Sequence, residues 1–366
     1  MADLVVVAMS GGVDSSVAAA LLLEQGYNVI GITLNLWPES DSAEAESRHS
    51  ACCSLDAVGD ARQVADKLGI PHYTLNVRDL FDRTVIQNFL EEYQAGRTPN
   101  PCVRCNRYVK FEGLLAKARA LGAQYLATGH YARIGRSADG RFSLHKALDP
   151  TKDQSYALCF LTQEQLAHTL FPLGESTKAE VREIAAHLGL ATATKPESQE
   201  ICFVPGDYGE YLRQRVPSTI RPGPIRDVNG ELKGTHQGIA FYTVGQRKGL
   251  GIANGKPLYV VGIDPEENAV IVGDLEDVYS QGLIADDVNW VSLPEQDGQI
   301  EVNVRIRYRA SDVPATAQLQ PDGTMLVEFK DPQRAVTPGQ TVVLYKDDAV
   351  VAGGTIRQAV GHRLSV

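Results

Sequence analysis

Short apolar runs alternate with helical patterns over the first 130 residues of the chain. The runs that predict strands are Leu4–Ala8, Val29–Leu34, His72–Asn76 and Tyr125–Thr128. The segments between them with helical spacing of apolar residues are Ser15–Gln25, Ser54–Leu68, Leu80–Ala95 and Val109–Leu121. This alternation predicts an α/β domain with a parallel sheet covered by helices on both faces.

The pattern changes twice after this domain. From about 153 to 216 it is helical, and Thr177 with Glu180 forms a capping box before the apolar stripe Val181, Ile184, Ala185 and Leu188. After Pro217 short alternating runs predict strands: Pro257–Ile263, Ala269–Val272, Val302–Arg309, Thr324–Glu328, Thr341–Tyr345 and Gly353–Ile356. Short strands separated by turns predict a small antiparallel β-barrel at the end of the chain. We expect domains at 1–205, 206–280 and 281–366.

Composition and charge narrow the class of protein. The 366 residues are 43% hydrophobic and 22% charged, which is typical of a soluble globular protein. No apolar run approaches the length of a membrane span and no signal peptide is evident, so we expect a cytoplasmic protein without membrane association. The formal net charge of −10 disfavours binding of nucleic acid through overall charge, but it allows a local basic surface.

The segment AMSGGVDSS, Ala8–Ser16, joins the first predicted strand to the first helix. Gly11 and Gly12 allow backbone N–H groups to turn toward an anion, and a helix N-terminus adds further donors. A Walker loop has a lysine here and this segment has none, so it suits a pyrophosphate held by neutral donors. Ser10, Ser15 and Ser16 are candidate hydroxyl donors, and Asp14 would either cap the helix or help to hold Mg²⁺. The alternative is an ordinary glycine turn with a polar cap.

Two further stretches contain cysteines. In TPNPCVRCNRYVKF, Cys102 and Cys105 lie at C-x-x-C spacing among arginines and a lysine, and nearby positive charge favours the thiolate. The alternative is a buried cysteine pair beside a solvated basic face. Cys202 lies in KPESQEICFVPGDY, between two apolar residues, where a core position is the simplest interpretation. Six cysteines without a signal peptide do not predict a disulfide framework.

The complete segment SGGVDSS resembles the signature of the PP-loop ATP pyrophosphatases. Over nearly the full chain, the ordered set SGGVDSS, NPCVRCN, ATGHYAR, KDQSY, SQEICF, GQRKGLG and TPGQ resembles the bacterial tRNA-specific 2-thiouridylase family (MnmA/TrmU). The resemblance implies a PP-loop, adenine nucleotide alpha-hydrolase-like domain, a small central β-rich domain and a C-terminal β-barrel. It implies use of ATP with Mg²⁺ to replace the 2-oxygen of the wobble uridine with sulfur. The implied partners are the tRNAs for Lys, Glu and Gln and a protein that donates persulfide sulfur.

The resemblance also implies roles for individual residues. Cys105 would be the nucleophilic cysteine and Cys202 the cysteine that carries a persulfide. The residues that would bind ATP are Ala8, Met9, Ser10, Gly11, Gly12, Val13, Asp14, Ser15, Leu34 and Gly129. The target base would contact Asn100, Pro101 and Cys102. The residues at tRNA-contacting positions are His130, Lys152, Asp153, Gln154, Arg307, Tyr308 and Gln340.

One position departs from the family pattern. Many members have an Asp, a candidate general base, where this chain has Cys102, so the carboxylate is missing. Cys102, Cys105 and Cys202 would then share a pocket, and three thiolates with an open fourth position are able to bind a [4Fe–4S] cluster that accepts sulfide. A persulfide mechanism without a cluster is the main interpretation. Cys52 and Cys53 form another candidate pair, and Cys159 is predicted to lie in the core.

The predicted strand Val302–Arg309 has apolar residues on one face and Arg305, Arg307 and Arg309 on the other, which suits a tRNA-contacting surface. A solvated barrel face is the alternative. Two other functions have the same ATP loop: a PP-loop amination enzyme, and a tRNA-binding or sulfur-carrier protein that keeps ATP as a structural ligand. The first does not require the three cysteines, and the second does not release AMP and pyrophosphate.

Overall fold

We describe the protein from a computed structural model. The described residues are 2–36, 55–196, 201–204, 206–217, 220–252 and 256–361. The chain divides into two compact units. The first comprises Met1–Val85, Cys102–Gly206 and Asp348–Val350, and the second Ile86–Pro101, Asp207–Asp347 and Val351–Val366.

A five-stranded parallel sheet forms the centre of the first unit. Its strands are β1 Leu4–Ala8, β2 Asn28–Asn35, β3 His72–Asn76, β4 Tyr125–Thr128 and β7 Thr169–Leu170, in the order β3-β2-β1-β4-β7. Val5, Val6 and Val7 are fully buried, which explains why β1 appears as a continuous apolar run rather than an alternating one. The predicted parallel sheet is confirmed.

The helices between residues 13 and 187 differ from the predicted ones mainly in helix type, because some predicted α-helical stretches are π-helical. The α-helices are α1 Val13–Glu24, α2 Leu55–Leu68, α3 Arg78–Phe81, α4 Gln87–Gln94, α5 Pro101–Arg104, α6 Leu115–Ala120, α7 Gln163–Ala167 and α8 Lys178–His187. Two π-helical segments, Asp82–Ile86 and Cys105–Leu114, interrupt what the sequence pattern predicted as plain α-helix. The helix predicted over Val109–Leu121 begins earlier, at Pro101, because proline is well suited to a first helical turn.

The region predicted as helical from about 153 is only partly helical. Ser155–Leu158 is a 3₁₀ turn and Thr169–Leu170 is a strand. The capping box of Thr177 and Glu180 is confirmed by both of its hydrogen bonds. Leu188 was wrongly placed in the buried stripe: it is 37% exposed, and Leu190 just beyond the helix is buried instead. A hairpin of β5 Ala132–Arg136 and β6 Phe142–Lys146 was not predicted.

The central part of the second unit is a four-stranded sheet. Its strands are β8 Gly223–Asp227, β9 Leu232–His236, β10 Tyr259–Asp264 and β11 Ala269–Gly273, in the order β10-β11-β8-β9. Helix α9 Tyr208–Arg215 precedes this sheet, and its N-cap is Asp207. Ile225, Val260, Val270 and Val272 are completely buried in its core.

The last part of the chain is the predicted antiparallel β-barrel. Its strands are β12 Tyr279–Trp290, β13 Gln299–Arg305, β14 Val313–Leu319, β15 Met325–Arg334, β16 Thr341–Lys346 and β17 Ala349–Val360. They follow the order β12-β15-β14-β13-β16-β17, and pairing of β12 with β17 closes the barrel. Alternate side chains such as Val302, Val304, Val327 and Leu344 fill its interior.

The basic strand predicted over Val302–Arg309 is wrong in its second half. Strand β13 ends at Arg305, and a turn follows in which the N–H of Ala310 donates to the carbonyl of Arg307. Tyr308, predicted on the buried face, is 45% exposed. Within the described part of the chain, no helix is long and apolar enough to cross a membrane.

Candidate active site

The loop after β1 lies where the strand order of the sheet reverses. Strands β2 and β3 lie on one side of β1 and β4 lies on the other, so the crevice beyond the carboxyl ends of β1 and β4 is a topological switch point. Ligands of open α/β sheets bind at such points. The loop from Met9 to Gly12 and the turn Gly129–His130 both emerge there.

Gly11 is required by the shape of this loop. Its φ is +68°, and a Cβ would lie 2.2 Å from the carbonyl oxygen of Ala57. Gly12 is the N-cap of α1 and no side chain caps the helix. The first N–H groups of α1 therefore have no side-chain acceptor, which is the arrangement that binds an anion at a helix N-terminus.

The serines of the loop tie it together internally. The hydroxyl of Ser16 donates to the carbonyl of Gly12 at 2.8 Å, and that of Ser15 donates to the same oxygen at 3.2 Å. The N–H of Ser10 in turn donates to the Ser15 hydroxyl at 3.1 Å. Ser15 and Ser16 are buried, so their hydroxyl groups hold the loop in shape rather than extend into the crevice.

Gly129 and Leu34 lie beside this loop. A Cβ on Gly129 would be 2.7 Å from the backbone nitrogen of Ser15, so the turn that follows β4 packs directly on the start of α1. Leu34 is buried on β2, two residues beyond the pairing of Ala8 with Ile32, at the same end of the sheet. The residues predicted to bind ATP on three separate segments are therefore brought together.

Asp14 is not a helix cap; it is the acceptor of two side chains from later in the chain. The ammonium group of Lys178 lies 2.6 Å from Asp14 Oδ1, and the hydroxyl of Tyr131 donates to the same oxygen at 2.8 Å. Lys178 begins α8, where its own N–H donates to Asp149 at 3.1 Å. The lysine that a Walker loop contains is absent from the loop, yet a lysine is present beside it.

A second lysine contacts the loop. Lys195 Nζ donates to the carbonyl of Gly11 at 3.2 Å and forms an ion pair with Asp60 of α2. The sequence pattern did not identify four residues that contact the loop or its neighbours: Tyr131, Lys178, Lys195 and Asp60. Each of these contacts joins two residues that are 117 to 184 positions apart in the chain. The sequence offered one hint of these contacts: Lys195 is the first residue of the stretch KPESQEICFVPGDY, which contains Cys202.

Cys105 is the first residue of the π-helix Cys105–Leu114 and is half-buried, whereas Cys102 on α5 is exposed. π-helical turns are rare and occur often at functional sites. Basic residues on both sides of Cys105 contact aromatic rings: the guanidinium of Arg104 lies 4.8 Å from the ring centre of Tyr108, and that of Arg107 lies 4.7 Å from that of Phe160. The sequence from 101 to 111 contains no acidic residue.

Cys202 is half-buried, not a core residue, and the residue after it anchors its segment. The ring of Phe203 meets that of Phe81 edge to face at 5.6 Å. Helix α3, which contains Phe81, also packs against the π-helix that begins with Cys105. Both cysteine segments thus pack on one short helix. Cys159 is fully buried, as predicted, and Cys52 and Cys53 lie outside the described residues.

The three cysteines do not form a metal site here. In the described ranges, which include Cys102, Cys105 and Cys202, no group of three or more His, Cys, Asp or Glu side chains is placed to hold a metal ion. The structure therefore gives no ligand set for a [4Fe–4S] cluster.

His130 lies in an aromatic environment next to Gly129. Its ring is 6.0 Å from Phe111 and 6.0 Å from Phe171, and its Nδ1 lies 2.7 Å from the Thr128 hydroxyl. Burial, with a smaller effect of the Lys110 charge, lowers the pKa of His130 well below its usual value. The imidazole is neutral at physiological pH and available for stacking and hydrogen bonding rather than for charge pairing.

Two of the other residues predicted to contact tRNA in this unit accept hydrogen bonds from backbone N–H groups. The Asp153 carboxylate accepts from the N–H of Ser155 at 3.1 Å, and the Gln154 side-chain carbonyl accepts from the N–H of Tyr131 at 2.9 Å. Lys152 is half-exposed beside them. In the second unit, the Gln340 amide donates to the carbonyls of Thr98 at 3.0 Å and Pro99 at 3.2 Å, directly before Asn100 and Pro101.

Sequence comparisons agree with these features. The model described as the tRNA methyl transferase HUP domain matches residues 3–206, the tRNA methyl transferase PRC-barrel domain matches 209–274, and the aminomethyltransferase beta-barrel domain matches 280–356. A protein of Heliobacterium modesticaldum named tRNA-specific 2-thiouridylase MnmA is 58% identical over 362 residues, 97% of this chain and 93% of its own.

The chain belongs to the tRNA-specific 2-thiouridylase family. A second member, from Moorella thermoacetica, is 58% identical over 96% of this chain and 98% of its own length. Among solved structures, a 4-thiouridine synthetase in complex with RNA and ATP aligns with a TM-score of 0.36 and 20% identity, covering 59% of this chain and 51% of that one. The expected PP-loop domain, small central β-rich domain and C-terminal β-barrel are confirmed by the matched domains of this family, of which the central one is a PRC-barrel domain.

Proposed function

We propose that the protein is an ATP-dependent tRNA sulfurtransferase that converts the wobble uridine of tRNA to 2-thiouridine. The observation that carries this function is a phosphate loop at the switch point of the same compact unit in which two cysteine segments pack on α3. Full-length identity of 58% to relatives named tRNA-specific 2-thiouridylase supports the same reaction.

The first step activates an oxygen that is a poor leaving group. The 2-oxygen of uridine attacks the α-phosphorus of ATP, the bond to the β-phosphate breaks, and pyrophosphate leaves. The N–H groups at the start of α1 bind the phosphates, and Lys178 beside Asp14 adds positive charge where negative charge accumulates. ATP is bound as its Mg²⁺ complex, because phosphate oxygens are hard ligands that this ion prefers.

The second step delivers sulfur. A persulfide on Cys202 attacks C2 and Cys105 then attacks the inner sulfur, or Cys105 first liberates sulfide that attacks C2. In both routes AMP leaves with the former 2-oxygen and the uridine gains the outer sulfur. The two electrons released when Cys105 and Cys202 form a disulfide reduce that outer sulfur to the sulfide level of the new thiocarbonyl group. A dithiol reductant restores the two thiols. A persulfide-carrying donor protein reloads Cys202.

Recognition of tRNA is assigned by resemblance within this proposal. The target base contacts Asn100, Pro101 and Cys102, and the tRNA-contacting residues are His130, Lys152, Asp153, Gln154, Arg307, Tyr308 and Gln340. The tRNAs are those for Lys, Glu and Gln, and a cytoplasmic location follows from such a substrate. Delivery of sulfide through a [4Fe–4S] cluster is the less favoured route, since the cysteines described here form no ligand set.

The name of the matched domain mentions methyl transfer, which is a different reaction. Adenylation needs a loop that binds pyrophosphate, and sulfur transfer needs two reactive cysteines. Methyl transfer needs neither feature. A PP-loop amination enzyme would keep its activity when Cys105 is replaced by Ser. A carrier that binds ATP structurally would release no AMP.

The mechanism is tested with tRNA that carries ¹⁸O at the 2-position of the wobble uridine. The proposal predicts AMP that contains one ¹⁸O atom and unlabelled pyrophosphate, both formed only when tRNA is present. Unlabelled AMP, or release of ADP and phosphate, would rule out adenylation of this oxygen.

A further inference from the structure

Lys195 lies beside the phosphate loop, in the same compact unit. Its ammonium group donates to the carbonyl of Gly11, the loop residue with positive φ, at 3.2 Å. Its second partner is the carboxylate of Asp60 on α2.

The backbone around Lys195 is held in a fixed position. The guanidinium of Arg182 on α8 donates to the carbonyls of Ala193 at 2.8 Å and Lys195 at 3.5 Å. The N–H of Lys195 closes a turn onto the carbonyl of Thr192 at 3.1 Å, and Thr192 is buried. The backbone at Lys195 is therefore held by α8, the helix whose first residue, Lys178, bonds Asp14.

We propose that Lys195 is a further nucleotide-binding residue, whose ammonium group leaves Asp60 and binds the phosphate chain of ATP in the nucleotide-bound enzyme. An ammonium group held at the edge of an anion-binding loop, and restrained there by one carboxylate, moves to a polyphosphate when it arrives. Lys195 would thereby add a second positive charge beside that of Lys178. This inference rests on the proposed function, in which the loop binds ATP.

Substitutions of Lys195 and of its partner Asp60 should change the affinity for ATP in opposite directions. Lys195→Met weakens binding of a non-hydrolysable ATP analogue by about 10- to 100-fold, since one charge-assisted bond to phosphate is lost. Asp60→Asn releases the lysine and strengthens binding by about two- to fivefold, the range of a partly exposed ion pair. Lys195→Arg retains most of the affinity. If the Lys195–Asp60 pair only supports the fold, both Lys195→Met and Asp60→Asn weaken binding together.

A matched control is Lys67→Met. Lys67 also donates to a backbone carbonyl, that of Gly189 at 2.6 Å, and does so from α2, but its partner is not in the phosphate loop. We expect analogue affinity within twofold of the wild type for this variant, where twofold is about the scatter of distant surface substitutions.

The melting temperature of each variant without nucleotide separates a loss of binding from a loss of folding. Equal affinity of Lys195→Met and wild type for the analogue would overturn the inference. Wild-type protein that binds the analogue but forms no 2-thiouridine would instead overturn the proposed function and leave the role of Lys195 intact.

Discussion

The ammonium nitrogen of Lys178 lies 2.6 Å from Oδ1 of Asp14, although the two residues are 164 positions apart in the chain. Asp14 lies in the first turn of α1 and Lys178 begins α8, with its side chain 11% exposed. The pair therefore holds an ammonium group next to the N-terminus of α1, although the loop before this helix contains no lysine. We expect this ammonium group to contribute to the binding of phosphate.

Lys178→Met should raise the KM for ATP by about tenfold, because a cation near the developing pyrophosphate is removed. Lys178→Arg should raise it less, since the charge remains. Initial rates of tRNA-dependent pyrophosphate release at varied ATP measure this, with the melting temperature as a check on folding. A KM for ATP unchanged in a folded Lys178→Met would show that the pair is only structural.

The two reactive cysteines should be separable from the third. Cys105→Ser and Cys202→Ser should abolish 2-thiouridine formation, whereas Cys102→Ser, at an exposed position outside any ligand set, should keep it without bound iron. Cys159→Ala is the control: it should retain activity and lose about 1 kcal/mol of stability as a buried position. Iron that copurifies with the wild type under anaerobic conditions and is lost in Cys102→Ser would support the cluster instead.

Arg307 and Arg305 should differ in their effect on tRNA binding. Arg305 is 14% exposed and paired with Asp312 at 2.6 Å, while Arg307 is exposed beyond the end of β13. Arg307→Ala should reduce the slope of log Kd against log salt concentration by about 1, the change expected when one phosphate contact is lost. Arg305→Ala should leave the slope unchanged. Filter binding over a salt series gives both slopes. Equal slopes for the wild type and Arg307→Ala would remove this turn from the tRNA surface.

Low pH should destabilise the protein partly through His130. Because its pKa is lowered in the folded protein, the unfolded chain binds more protons, so stability is full above the ordinary histidine pKa of 6.5 and falls as the pH drops below it. The contribution is at most about 1.4 kcal/mol per pH unit. His72 and His236 are shifted in the same direction, so only the difference between wild type and a variant isolates His130.

The variant is His130→Gln, which keeps a hydrogen-bonding group but does not titrate. Denaturant unfolding at pH 7.5 and 5.5 should show that wild type loses more stability between the two values than the variant does. An equal loss in both proteins would mean that His130 is not neutralised by its surroundings.

Gln340 should act on the loop that precedes Asn100 and Pro101. Its amide donates to the carbonyls of Thr98 and Pro99, and the N–H of Thr98 donates to Pro338 at 2.8 Å. Gln340→Glu would place a carboxylate against two carbonyl oxygens, so it should lower kcat for thiolation more than Gln340→Ala. Single-turnover rates at saturating tRNA measure this, and a smaller effect of Gln340→Glu than of Gln340→Ala would contradict the assignment.

Local patterns predicted much of the molecule. The runs of β1 to β4, the capping box of Thr177 and the existence of the barrel follow from burial periodicity and turn chemistry, which are short-range properties. The π-helix at Cys105 was not predictable, because its apolar spacing resembles that of an α-helix. The end of β13 at Arg305 was missed because Tyr308 continued the alternation, although its side chain is exposed.

The sequence predicts the loop and the cysteines of the candidate site, and it does not predict the residues that contact them. SGGVDSS and the cysteine stretches are contiguous motifs. The contacts of Lys178, Tyr131 and Lys195 with the loop join distant segments, and a lysine at a helix start or before a proline has no distinctive local pattern. The hydroxyl groups of Ser15 and Ser16 are candidate phosphate donors by sequence, and in the structure they donate to the Gly12 carbonyl.

The central claim is tested most directly by the nucleosides of the product. The protein is incubated anaerobically with ATP–Mg²⁺, a persulfide source, a dithiol reductant and unmodified tRNA, and the digested tRNA is analysed by mass spectrometry. The account predicts 2-thiouridine at the wobble position, dependent on ATP and absent with Cys105→Ser. Unmodified uridine with the wild type, or 2-thiouridine formed equally well by Cys105→Ser, would contradict it.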